Sequence, residues 1–403
     1  MVEMGTVLFS EKRSKKLILL GLIGIILLGA VLYSNILNAP FVFDDHSSIK
    51  ENDSIRSIAE SFKKISSNRY LVLCSFALNY AMGGLKPFGY HLINNLIHVI
   101  NALLVYYLVT LTFKTPHFTS RLTPYASRPS FIAFFVAFIF IAHPIQTQAV
   151  TYIAQRATSM AAMFYLLSLV MYIKFRLQVS DIGCQVLGNT ELNKTLNLKP
   201  KTWYLCSVIS AILAMKTKEI AFTLPVVIAL YEFSFFNKAA ASQYATSILR
   251  RFLYLLPILL TFLIIPLSML NFTAPVETIT QDINIQSRET LNITRADYLL
   301  TQFRVIVTYL RLLVLPINQS LDYSYPVYRS FFDVNVFLSF IFLLLVFAVA
   351  VYLFYASRKT HHALRLISFG IFWFFITLSV ESSFIPIRDV IVEHRLYLPS
   401  IGF

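Results

Sequence analysis

Leu17 to Leu37 is a run of 21 residues without a charge, and it constrains the fold more than any other stretch. At about 1.5 Å per residue, a helix of that length reaches ~31 Å, the thickness of a bilayer's hydrocarbon core. Eight further apolar runs follow, at about 90–113, 130–142, 158–173, 203–215, 220–236, 252–270, 335–356 and 366–384. Several are short for a ~30 Å core and need tilt or flanking residues to cross. The 403 residues are 57% hydrophobic and 13% charged, with 36 Phe and 22 Tyr. A soluble domain of this size could not bury that much apolar surface, so lipid must act as a solvent. The expected fold is an all-α, multispanning integral membrane bundle.

Charge sets the orientation. Lys12, Arg13, Lys15 and Lys16 precede the first run, which predicts residues 1–16 on the cytoplasmic side. A cleavable signal peptide starts in the same way, but its apolar core is usually ~7–15 residues. With loops assigned alternately, the inner side holds 18 Lys/Arg against five acids, and the outer side holds 16 against 15. The net charge of +14 is then a topology signal and does not point to nucleic acid. Cys74, Cys184 and Cys206 are too widely spaced for a disulfide framework or a metal knuckle.

On this topology the dense polar clusters next to spans all face outward. They are Asp44-Asp45 just past the first span, His143 with Arg156 beyond it, Lys218-Glu219, Asp322, and Glu393-His394-Arg395. Their convergence from distant parts of the chain predicts one site at one membrane face. The segment 297–315 carries Asp297, Thr301, Arg304, Thr308 and Arg311 at spacings of 4, 3, 4 and 3, a single polar stripe on a helix. Read as a span, it would place the basic 358–365 loop outside. It is therefore expected to lie as an interfacial or re-entrant helix on the outer leaflet. Arg304 and Arg311 would grip a lipid phosphate there, or only anchor the helix among headgroups.

Phe41-Val42-Phe43-Asp44-Asp45, Ala77-Leu78-Asn79-Tyr80 with Pro87-Phe88-Gly89-Tyr90-His91, His143-Pro144-Ile145, Lys218-Glu219, Asp322-Tyr323-Ser324-Tyr325-Pro326 and Glu393 with Leu396-Tyr397-Leu398-Pro399-Ser400 occur in this order. Together they resemble the membrane domain of the transmembrane-and-TPR-containing O-mannosyltransferases and their prokaryotic relatives, glycosyltransferases of the GT-C fold. The resemblance covers about residue 35 onward. It implies a catalytic domain over 17–403 that transfers a sugar, a mannose-like hexose first, from polyprenyl or dolichyl phosphate at the lumenal or extracytoplasmic face. The acceptor would be a hydroxyl, on protein Ser or Thr or on a glycan. The resemblance also assigns the catalytic carboxylate to Asp44 or Asp45, with a slight preference for Asp45 because it lies further from the span. Arg304, Arg311, Lys218 and Arg395 are the candidates for the departing phosphate. His143, Arg156, Glu219, Asp322, Glu393 and His394 would support the site. Nothing in the sequence requires a metal ion or another cofactor.

Two departures are visible. The second outer loop usually reads His-Pro-x-His-Thr-Glu in the animal members, whereas Gln146 and Gln148 stand here in place of the second His and the Glu. His394 stands where an Arg is usual. No TPR periodicity is present, and the stop at Phe403 is expected to be a truncation. Two other readings stay open. One is a transferase of the same fold acting on a lipid or polysaccharide. The other is a transporter or flippase, which predicts inverted repeats and broken helices at the midplane.

Overall fold

A computed structural model describes residues 2–65, 67, 69–119, 129–185, 199–236, 248–269, 293–357 and 363–403. Among these residues the chain is helical and contains no strand. The longer helices are Val2–Leu32, Tyr70–Gly83, Pro87–Thr112, Pro129–Ala142, Arg156–Gln185, Pro200–Met215, Leu224–Phe235, Ile248–Leu260, Arg295–Val314, Val334–Ala356 and Ala363–Leu378. Every apolar run read from the sequence lies at least partly on one of them. Five stretches, Lys16–Ile36, Pro87–Thr112, Ile153–Val179, Ile248–Ser268 and Val334–Ala356, are long and apolar enough to cross a membrane. Ser130–Ala142 with Pro144–Thr151 adds a sixth if the pair, bent by 51°, is one span. The protein is an integral membrane protein.

Length and composition thus support five or six of the nine expected spans. Pro200–Met215, Leu224–Phe235 and Ala363–Leu378 stop short of the ~20 residues that a straight crossing needs. The last of these ends at Leu378 instead of continuing to 384, which leaves Glu381 in irregular chain. The polar loop after the first span also differs from expectation. It contains Tyr70–Gly83, a helix of 14 residues whose buried face carries Val72, Cys74, Phe76, Ala77 and Asn79. Arg295–Val314 forms as expected but is not apolar enough to count as a span. Most of the basic loop used to orient it, residues 358–362, lies outside the described residues.

Pro87–Thr112 is the central post, packed against Val2–Leu32, Pro129–Ala142 and Arg156–Gln185. The bend after Ala142 has a local cause. His143 precedes a proline and is held extended, at φ −68° and ψ 126°, which ends the helix. Its Nδ1 accepts from the Ile145 N–H at 3.1 Å, and its Nε2 donates to Leu313 O at 3.0 Å. At the other end of the bundle, Arg176 grips Glu232 through two bonds of 2.7 and 2.6 Å, with the Tyr172 hydroxyl donating at 3.1 Å. Gly370 and Gly402 meet backbone to backbone. A Cβ on Gly370 would lie 2.2 Å from Gly402 O, so only glycine lets the segment 393–402 dock on the Ala363–Leu378 helix.

Candidate active site

A cavity of about 820 Å³ opens where several loop ends meet. Its wall draws on Asp44, Arg69, Ala154-Gln155, Lys218-Glu219, Ile265-Pro266, Glu381, Asp389, Val392 and His394-Arg395. All of these come from the side assigned outward by charge, and of the polar clusters Asp44, Lys218-Glu219 and His394-Arg395 come together here. The lining also includes Phe222, Phe384, Ile385 and Ile387, side chains without polar atoms.

The paired acids separate. Phe43 sits at φ 45°, a left-handed conformation that a bulky residue rarely adopts, and the chain turns sharply there. Asp45 points inward and is 1% exposed. Its Oδ1 accepts from the Ala154 N–H at 2.7 Å, and its Oδ2 accepts from the Val42 N–H at 3.1 Å. Oδ1 therefore pins the first outer loop to the 152–155 turn, and Oδ2 closes the loop on its own backbone. Burial raises the Asp45 carboxyl above the ordinary value, with those two N–H bonds pulling the other way. Asp44 lies on the cavity wall instead. Its N–H donates to the Tyr152 hydroxyl at 2.8 Å, which fixes the backbone beneath its carboxylate. Asp45, the acid preferred from the sequence, thus holds the loop, and Asp44 is the one of the pair that lines the cavity.

The cations on the wall are Lys218, Arg69 and Arg395. Lys218 Nζ reaches Glu381 Oε1 at 2.6 Å and donates to Thr158 Oγ1 at 2.9 Å. Burial alone would raise the Glu381 carboxyl, but Lys218 first and Arg395 next outweigh it and hold it below the ordinary value. Arg395 donates to Asp389 O at 2.6 Å and Val390 O at 3.0 Å, fixing the loop that forms the far wall. Arg69 is exposed, and the Leu71 N–H donates to Lys216 O at 3.3 Å, which brings this helix start beside Lys218.

His394 also faces the cavity. Its backbone N–H and its Nδ1 both meet Gln148 Oε1, at 2.6 and 3.1 Å. That oxygen can only accept, so Nδ1 carries the proton and Nε2 is a bare acceptor. Burial, then Lys218, Arg395 and Arg69, push the imidazole far below its ordinary value, so the ring is neutral. Gln148 positions this ring here.

Other expected residues lie outside the cavity wall. Arg156 is fully buried below it and bonds to Asn94 Oδ1, Asn79 Oδ1 and Tyr90 O at 2.7, 2.6 and 2.9 Å. It clamps the Tyr70–Gly83 and Pro87–Thr112 helices together. Glu393 accepts from Gln319 Nε2 at 2.6 Å, from the Ser320 N–H at 2.9 Å and from the Tyr323 hydroxyl, holding the 318–323 loop. Asp322 is exposed and lines a separate cavity of about 370 Å³ with Tyr323, Tyr325, Arg388 and Asp389. His143 serves the bend described above. Arg304 and Arg311 are not part of the main cavity's lining, and the downstream loop bonds to their stripe. The Tyr328 N–H donates to Thr301 Oγ1 at 2.9 Å, and Arg311 Nη1 donates to Ile317 O at 3.1 Å.

Sequence reasoning missed Arg69, Tyr152, Glu381 and Asp389. Glu381 was hidden at the end of an apolar run, and Arg69 lay among other basic residues of the long polar loop after the first span. Only Tyr152, close to Arg156 in a polar outer loop, carried a usable signal.

Comparison with known proteins finds curated relatives. The chain is similar to protein O-mannosyl-transferase TMTC2 of Homo sapiens, 30% identical over 239 residues, or 56% of this chain and 25% of that protein. It is 34% identical over 169 residues to protein O-mannosyl-transferase Tmtc1 of Drosophila melanogaster, covering 38% of this chain and 18% of that one. Protein O-mannosyl-transferase TMTC4 of Homo sapiens is 29% identical over 208 residues, covering 47% of this chain and 26% of that protein. The chain thus spans about a quarter or less of the length of these curated relatives. No family model matches, and no solved structure matches.

Proposed function

We propose that the chain is an inverting glycosyltransferase of GT-C type. It moves a mannose-like hexose from a polyprenyl-phosphate carrier to a hydroxyl, on protein Ser or Thr first, at the extracytoplasmic face. One observation carries the reading: a single cavity is lined by Asp44, by the cations Lys218, Arg69 and Arg395, and by the apolar side chains of Phe222, Phe384, Ile385 and Ile387. An isoprenoid phosphate needs the last two together, and an attacking hydroxyl needs the first. The names of the similar proteins support the sugar and the acceptor.

In this mechanism the Asp44 carboxylate takes the proton of the acceptor hydroxyl as that oxygen bonds to the anomeric carbon. The bond from that carbon to the phosphate oxygen breaks on the opposite side, which inverts the configuration. The charge developing on the phosphate falls among Lys218, Arg69 and Arg395. Neutral His394 offers Nε2 as an acceptor for a sugar hydroxyl. An aspartate is a weak base at neutral pH, so alignment in the cavity supplies much of the rate.

The test uses the full chain in detergent with radiolabelled polyprenyl-phosphate mannose and a Ser/Thr-rich peptide. Label should move to the peptide as an α or β product opposite to the donor. A folded protein that transfers nothing, or a product that retains configuration, would refute the proposal.

A further inference from the structure

We infer that Glu381 is a built-in competitor of the donor's phosphate: its carboxylate occupies Lys218 in the empty site, yields it when the lipid phosphate enters, and retakes it to expel the product. The inference rests on the phosphate reading of this cavity and adds a second role to its counter-ion.

Lys218 is held rigidly. It follows the end of the Pro200–Met215 helix, its N–H donates to Ala214 O, its carbonyl accepts from the Ala221 N–H, and its ammonium donates to Thr158 Oγ1. Only 6% of Lys218 is exposed, and an ammonium so buried is costly without an anion beside it. Glu381 supplies that anion at 2.6 Å. Its anchorage differs from that of the lysine. Its backbone carbonyl accepts from the Tyr298 hydroxyl at 2.8 Å, which fixes the main chain. The carboxylate sits on three rotatable bonds in irregular chain past Leu378 and lines the open cavity. It can swing away while its main chain stays in place.

A sugar-carrying lipid phosphate is a diester with one negative charge, so its exchange for the carboxylate leaves the charge at Lys218 unchanged. Transfer then breaks the bond between the sugar carbon and phosphate oxygen, and the phosphate leaves as a monoester with up to two charges. That product would hold Lys218 and the neighbouring Arg69 and Arg395 more tightly than the donor did. A carboxylate tethered beside the lysine acts at high effective concentration and shortens the product's stay. Glu381 touches no reacting atom in this scheme. It acts by setting what occupies the lysine.

The experiment measures binding of farnesyl phosphate to the purified full chain by ligand-induced thermal stabilisation, which reads folding and affinity together. Inorganic phosphate runs in parallel. In Glu381→Gln the Kd for farnesyl phosphate should fall about tenfold, while kcat falls and product inhibition deepens. A merely structural glutamate would give a higher Kd. Glu381→Asp keeps the charge with a shorter reach, and its Kd should lie between those of the wild type and Gln variant. If the Gln variant does not fold, a Kd for Asp at or above wild type overturns the inference. Lys218→Met should raise the Kd at least tenfold. If it does not, the phosphate reading fails and the inference falls with it. If it does, but Glu381→Gln binds no tighter, the phosphate site stands and the competitor role is refuted. Inorganic phosphate should bind far more weakly than farnesyl phosphate. Equal binding would assign the site to free phosphate and overturn the lipid-product role.

Discussion

Two neighbouring aspartates with opposite duties can be told apart by one pair of conservative substitutions. Asp45→Asn keeps the shape but leaves one acceptor oxygen for two backbone N–H groups, those of Ala154 and Val42. A hydrogen bond to a charged group contributes about 1.5–3 kcal/mol. Losing one such bond and weakening the other, set against relief of a desolvated charge, predicts a loss of roughly 2–3 kcal/mol in stability. Asp44→Asn touches an exposed carboxylate on the cavity wall and should change stability by no more than about 0.5 kcal/mol. Its transfer rate should drop about 100- to 10,000-fold, the range for loss of a general base. The assay pairs thermal unfolding in detergent with initial transfer rates at a temperature where both variants stay folded. There, Asp45→Asn should retain a measurable part of the wild-type rate. An Asp44→Asn enzyme with wild-type rate, or an Asp45→Asn protein that melts normally yet transfers nothing, would refute the division of labour.

Two further outcomes follow from buried charge. Glu232→Gln leaves the Arg176 guanidinium, 2% exposed on its side chain, without its anion and should destabilise the protein by about 3–5 kcal/mol. The double variant Glu232→Leu with Arg176→Met should recover part of that in chemical or thermal unfolding, and a shortfall would be assigned to Arg251, whose Nε lies 3.9 Å from the same carboxylate. The Lys218–Glu381 pair predicts a pH signature. Glu381 is held below its ordinary value of 4.5, so its contribution is full above that pH and fades as pH falls through the lower, folded value. The melting-temperature gap between wild type and Glu381→Gln should be flat from pH 7 to 5 and shrink below about 4.5. A gap that widens on acidification would contradict the assignment.

What could be read in advance follows from which forces leave a linear trace. Lipid burial does, so each apolar run from Leu17–Leu37 to 366–384 marks a helix. The helix Tyr70–Gly83 escaped because Cys74, Ser75, Asn79 and Tyr80 interrupt its short apolar stretch, and its polar groups find buried partners such as Arg156 only in the folded chain. Charge counting placed the outward clusters in one compartment, and the cavity assembles five of the predicted residues: Asp44, Lys218, Glu219, His394 and Arg395. Direction within a loop leaves no such trace. Distance from the span favoured Asp45, whereas the turn at Phe43 decides which acid faces in. Helical periodicity found the stripe of Arg304 and Arg311, but could not say that residues 317–328 of the same chain would bond to it.

The stretch from Ile391 to Pro399 is buried at every residue, and it closes the cavity that begins with Asp44. About 350 residues separate these two walls in the chain. At a synthesis rate of roughly 5–20 residues per second, Asp44 is in place some 20 to 70 s before His394 and Arg395 are made. A nascent chain therefore passes through insertion with the cavity open on this side. Closure of this wall should come late during biogenesis, and a ribosome stalled before this stretch would hold the cavity open.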